Sequence, residues 1–120
     1  MTAERRAARH LWRLQTRTAA EPGSLILFVE GRLGHAAAIE LESVMGQCPI
    51  RAEKMIIDLS GVDYLSSAVL KLFEARAERQ LERGGRLLLR APSIAARLAL
   101  DLSGLLGLVE SESEGAAPRQ

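Results

Sequence analysis

KMIIDLSGV (Lys54–Val62) constrains the fold of this chain more than any other segment. A short apolar run punctuated by Gly is the pattern of a buried strand, here placed at Lys54–Leu59. Directly after it, AVLKLFEARAERQL has helical spacing up to about Arg83. Leu70, Phe73, Ala77 and Leu81 fall on one stripe, and Lys71, Glu74, Arg76, Glu78, Arg79, Glu82 and Arg83 on the opposite, solvated face. Gly84 and Gly85 read as a helix C-cap and turn, and RLLLRA (Arg86–Ala91) as another short buried strand. Strand, helix and strand joined by short links imply a right-handed crossover between parallel neighbours.

The rest of the chain extends this unit. Trp12, Leu14, Thr16 and Thr18 alternate with Arg13, Gln15 and Arg17, as in a half-buried strand. The turn residues EPGS lead into the more apolar strand SLILFVEGRL (Ser24–Leu33), so the two strands read as a hairpin. HAAAIELESVMGQC (His35–Cys48) reads as a helix with Ala36, Ile39 and Val44 near its apolar stripe, stopped by Gly46 and Pro49. Pro92 and Ser93 start a last helix, IAARLALDL (Ile94–Leu102), and Leu108–Ser111 reads as a final edge strand. The expectation is an α/β fold with a mixed β-sheet and helices packed on it. One domain over residues 10–111 is expected, between flexible tails at 1–9 and 112–120.

With 120 residues the chain has enough surface to bury for one real core. Sixteen basic and 15 acidic residues leave a net charge of +1, which asks for neither nucleic acid nor an anionic membrane. Charge is uneven only at the ends, with Arg5, Arg6, Arg9, Arg13 and Arg17 near one and Glu110, Glu112 and Glu114 near the other; both read as solvated. Aromatic residues are only 3%, too few for base stacking or an aromatic ligand cage. No apolar run reaches the roughly 20 residues that span a bilayer, and the N-terminus lacks the apolar middle of a signal peptide. The lone Cys48 fits a reducing compartment, so a cytoplasmic protein is expected.

The seam between strand and helix, DYLSSAVL (Asp63–Leu70), carries two adjacent hydroxyls. Ser is favoured at helix starts because its oxygen accepts a bond from an unpaired helical N–H, so one serine has a purely structural explanation. A serine hydrolase would need Ser66 or Ser67 as nucleophile, His10 or His35 as base, and Asp58, Asp63 or Asp101 to orient it. Neither serine has the flanking glycines of a nucleophile elbow, and both histidines fall at ordinary surface positions. Two distant histidines and one cysteine lack the spacing of metal ligands. No Lys-Ser/Thr pair follows a glycine-spaced loop, so nothing in the sequence cradles a nucleotide phosphate.

DLSGVDYLSSAVLKLFEAR (Asp58–Arg76) resembles the signature of the STAS domain, the family of sulfate transporters and anti-sigma factor antagonists. There, a buried strand ending in D-L-S-x-V leads to aromatic-x-D/S-S-x-G-L and a helix. VEGRLGHAAAIELE (Val29–Glu42) resembles the turn into the family's first helix. RGGRLLLRAPS (Arg83–Ser93) and LALDLSGL (Leu98–Leu105) resemble a later strand and the closing helix.

In the antagonist branch of bacterial signalling, the resemblance implies a non-enzymatic binding module. A serine at the position of Ser67 is phosphorylated by an anti-sigma factor that is also a kinase, and a PP2C-type phosphatase restores binding. Ser66 stands where the family usually has Asp, Ala68 at the second small residue, and Val69 where Gly is usual. Asp63, Ser66, Ser67 and Lys71 are the expected partner contacts, with no cofactor or metal; homo-oligomerisation stays open. A second implied reading is a STAS subunit of a stressosome-type scaffold or a lipid-transport ATPase complex.

Overall fold

The computed structural model describes residues 2–6, 12–18, 24–47 and 54–110. The chain order is β1 (Thr2–Arg6), β2 (Trp12–Thr18), β3 (Ser24–Leu33), α1 (His35–Gln47), β4 (Lys54–Leu65), α2 (Ser67–Glu82), β5 (Arg86–Arg90) and α3 (Ile94–Leu102). A short 3-10 turn, Leu106–Leu108, follows. Among the described residues the strands form one five-stranded sheet in sequential order. β1–β2 and β2–β3 pair antiparallel, whereas β3–β4 and β4–β5 are parallel. The mixed sheet, opening hairpin and crossover units expected from the sequence are all present.

Register explains the core. Leu25, Met55 and Leu87 align across three strands, as do Leu27, Ile57 and Leu89. Aligned residues share a sheet face, and these two rows, with Leu14 and Val29, meet the helices in one apolar cluster. α1 contributes Ala37, Ala38, Leu41, Val44 and Met45, α2 contributes Val69 and Phe73, and α3 contributes Ala96 and Leu100.

Five sequence expectations need correction. Thr2–Arg6, read as tail, is a strand paired with β2 from Thr2↔Arg17 to Arg6↔Arg13. Main-chain pairing to an open edge needs no side-chain pattern, so its Ala/Arg composition gave no sign of it. The buried stripe of α1 excludes Ala36 and Ile39, the latter 60% exposed, and Gly46 lies inside the helix. α2 is likewise rotated: Val69, Phe73, Arg76 and Gln80 are buried, Leu70 and Ala77 half-buried, and Leu81 exposed. β4 continues past Leu59 to Leu65, with a register shift opposite Phe28–Glu30. A Cβ at Gly61 would come within 2.8 Å of Glu30 Cβ, so glycine permits that close pairing. Finally, the expected last strand is reduced to a single parallel bridge, Leu89↔Val109, after the 3-10 turn. Cys48, Pro49, His10 and the 112–120 tail lie outside the described residues.

The helix ends follow local rules. Ser66 and Ser93 cap α2 and α3 through their side-chain oxygens. Gly84 has φ +83° at the end of α2, and its N–H and that of Gly85 bond to the carbonyls of Leu81 and Gln80, as expected of a glycine-closed helix.

Candidate protein-interaction site

β3 and β4 run parallel, so their C-terminal ends and the N-termini of the following helices collect along one edge of the sheet. Leu33 pairs with Leu65, and the Ser66 N–H donates to the Leu33 carbonyl at 3.0 Å. This bond fixes the turn between β4 and α2. Ser66 has an extended backbone, φ −77° and ψ 164°, and its Oγ accepts the Val69 N–H at 3.3 Å. Its carbonyl then takes the Leu70 N–H at 3.1 Å. Ser66 is therefore committed to starting the helix.

Ser67 is the first helical residue and is exposed. Its neighbour Ala68 is half-buried, and Val69 is 0% exposed within the core. Lys71, four residues after Ser67, is exposed on the same side of the helix. Asp63 is exposed on β4, two residues before the end of that strand. Of the four expected contact residues, three reach solvent and Ser66 is half-buried by its capping bond.

One contact beside the seam, and the residue Arg32 that makes it, escaped sequence reasoning. Arg32 and Tyr64 are register partners on β3 and β4, and the Arg32 guanidinium stands 4.5 Å from the Tyr64 ring centroid. Tyr64 is 42% exposed. Such a pair is worth roughly 0.5–1 kcal/mol when exposed and gives this edge an amphipathic feature. Tyr64 fills the aromatic position of the motif, but the bulged register that brings Arg32 to it is not legible in sequence.

Ser93 was legible as a helix start but does more. Its Oγ accepts the Ala96 N–H at 3.1 Å and donates to the Val62 carbonyl, joining α3 to β4 next to Asp63.

The hydrolase residues are not assembled by these contacts. Asp58 Oδ1 accepts both the N–H and the hydroxyl of Ser60, at 3.0 and 2.7 Å, a self-contained turn. His35 is exposed at the start of α1, and Asp101 is exposed on α3. Among the described residues no hydrogen bond joins a histidine or carboxylate to Ser66 or Ser67. No cluster of three or more His, Cys, Asp or Glu residues that could hold a metal occurs among them either. No helix among the described residues is long and apolar enough to cross a membrane. A groove of about 320 Å³ lies at the far end of α2, between Ala77, Leu81, Leu87, Leu105 and Leu108, away from the seam.

A family model described as the STAS domain matches residues 15–115. No curated protein matches the sequence. Among solved structures, the fold is similar to the anti-sigma factor antagonist SpoIIAA in its unphosphorylated form, with a TM-score of 0.72 and 20% identity over 85% of this chain and 91% of that one. The phosphorylated form of the Bacillus cell fate determinant SpoIIAA gives a TM-score of 0.66 at 20% identity, covering 85% of this chain and 95% of that one. An anti-sigma factor antagonist from Mycobacterium paratuberculosis gives 0.64 at 27% identity, covering 80% and 82%. The match runs from within β2 to beyond the last described residue, so β3, β4, β5, the three helices and the capped seam lie inside it and β1 lies outside; the chain belongs to the STAS domain family.

Proposed function

We propose that this chain is a non-catalytic binding module of the anti-sigma factor antagonist kind, switched by phosphorylation of Ser67. The observation that carries the reading is the division of labour at the seam. Ser66 supplies the capping oxygen, so the exposed Ser67 hydroxyl is not needed to start α2. A phosphate there adds about −1.5 to −2 charges beside a helix N-terminus, where the helix dipole and unpaired N–H groups favour an anion. The fold can carry the group without rearranging.

A partner covering the same edge would have to desolvate that charge and accommodate its bulk. Changing a complex from about 99% to 1% bound takes roughly 5.5 kcal/mol of differential affinity, and partial switching takes less. The partner in this reading is an anti-sigma factor that is also the serine kinase, with a PP2C-type phosphatase returning Ser67 to its binding form, all in the cytoplasm. Asp63, Ser67 and Lys71 form the contact, with Ser66 shaping it.

The test is affinity capture of the full chain from its native cell, with mass spectrometry of the bound proteins and of the peptide containing Ser66 and Ser67. Recovery of a kinase-type anti-sigma factor with the unphosphorylated chain, and its loss with the phosphorylated chain, supports the switch. Recovery of a permease or a large scaffold with unmodified serines overturns it in favour of a structural STAS subunit.

A further inference from the structure

α3 presents large aliphatic side chains to solvent on the face opposite its core contacts. Ile94, Leu98 and Leu102 are 91%, 59% and 80% exposed, while Ala96 and Leu100 are fully buried. At about 100° per residue, positions i, i+4 and i+8 form a row along one side of a helix. Burial against the sheet explains Ala96 and Leu100 but not this row. Single exposed leucines are ordinary, whereas a contiguous apolar row in the middle of a solvent face marks an interaction surface.

The charges beside the row select the partner. Arg97 and Asp101 are both exposed and, four residues apart, follow one margin of it. In an antiparallel pair of α3 helices related by a two-fold axis, the same margin of each copy meets the other. Arg97 then faces Asp101 of the second copy and Asp101 faces Arg97 of the second copy. The midpoint between those charges is position 99 and that of the apolar row is position 98, an offset of one residue, about 1.5 Å along the helix, which the long Arg97 side chain spans. A two-fold interface requires one patch to be its own complement, and this patch is.

We propose that α3 is a self-association surface, through which two copies of this chain pair antiparallel along Ile94, Leu98 and Leu102 with reciprocal Arg97–Asp101 contacts. It lies on a different helix from Ser67, and the Ser93 cap ties the start of that helix to β4 beside Asp63.

Sedimentation velocity of the full chain over a wide concentration series tests this, with thermal melts showing that each variant is folded. The wild type should pass from monomer to dimer as concentration rises. Leu98→Asp should move the midpoint upward by about tenfold or more, since it buries an unpaired charge in the row. Arg97→Asp and Asp101→Arg should each weaken pairing by placing like charges opposite one another. The double reversal R97D/D101R restores complementarity and should return the midpoint to within about threefold of wild type. A wild type that stays monomeric throughout overturns the proposal and leaves the row to a different protein. So does a dimer indifferent to Leu98→Asp, or a double reversal no better than its single variants.

Discussion

The Arg76 guanidinium on α2 donates to the Met45 carbonyl of α1 at 2.6 Å. Met45 is in the last turn of α1, where carbonyls have no partner within the helix, so Arg76 closes the end of one helix from the flank of another. A cation is also favoured there by the helix dipole. A second bond, from Arg76 Nε to Gln80 Oε1 at 3.0 Å, holds the side chain in place.

Truncating Arg76 should therefore be costly, although the sequence pattern puts it on the solvated face. Arg76→Ala leaves the Met45 carbonyl and the Gln80 amide buried with fewer partners, and the expected loss is about 2–4 kcal/mol. Arg79→Ala, at an exposed position three residues on, should stay within about 0.5 kcal/mol. Urea unfolding of the two variants measures the difference; equal stability would mean that Arg76 is not buried in solution.

Within α2 the apolar positions should separate by burial. Phe73 is 0% exposed, and Phe73→Ala should cost about 3–5 kcal/mol. Leu70 is only half-buried and should cost clearly less. Val69→Gly restores the residue usual in the family but removes a fully buried side chain and adds a helical glycine, so a loss of about 2–3 kcal/mol is expected. Chemical denaturation of the three variants gives the order Phe73, Val69, Leu70; an inverted order would contradict the observed rotation of α2.

These residues also show what was legible. The seam, both serine caps and the glycine closure of α2 could be read because each is local chemistry over a few adjacent residues. The rotation of the helices could not. In α1, Ala36, Ala37, Ala38 and Ile39 are four apolar residues in succession, so several stripes fit the helical period equally well and only packing on the sheet decides among them. Arg76 looked solvated because its partner is a main-chain carbonyl 31 residues away, a contact that no side-chain pattern records. Among the site residues, Asp63, Ser66, Ser67 and Lys71 came from one continuous motif, whereas Arg32 joins Tyr64 only through strand register.

Two glycines should respond oppositely to the same substitution. Gly61→Ala places a methyl 2.8 Å from Glu30 Cβ, an atom close to the β3 backbone that cannot swing away, and should cost about 1–3 kcal/mol. Gly46 lies in the last turn of α1 with nothing within 4 Å of an added Cβ. Gly46→Ala should stabilise by about 0.5–1 kcal/mol through the lower entropy of the unfolded chain. Thermal melts of the pair decide this, and a destabilised Gly46→Ala would show that the end of α1 is not helical.

The two seam serines should fail in different ways. Ser66→Ala removes the oxygen that accepts the Val69 N–H, so stability should fall by about 0.5–2 kcal/mol while the cognate kinase still adds phosphate. Ser67→Ala should melt like wild type, take no phosphate and still bind the partner, because an exposed hydroxyl outside the cap is removed. Ser67→Asp should weaken binding less than phosphate does, since it brings one charge and fewer acceptor oxygens. Phosphate incorporation read by mass shift, set beside melting curves and partner affinity, separates the roles. Loss of phosphate in Ser66→Ala with retention in Ser67→Ala would move the modified position back by one residue. Absence of phosphate on both serines with every kinase that binds the chain would remove the switch and leave a STAS module that binds without being regulated at this seam.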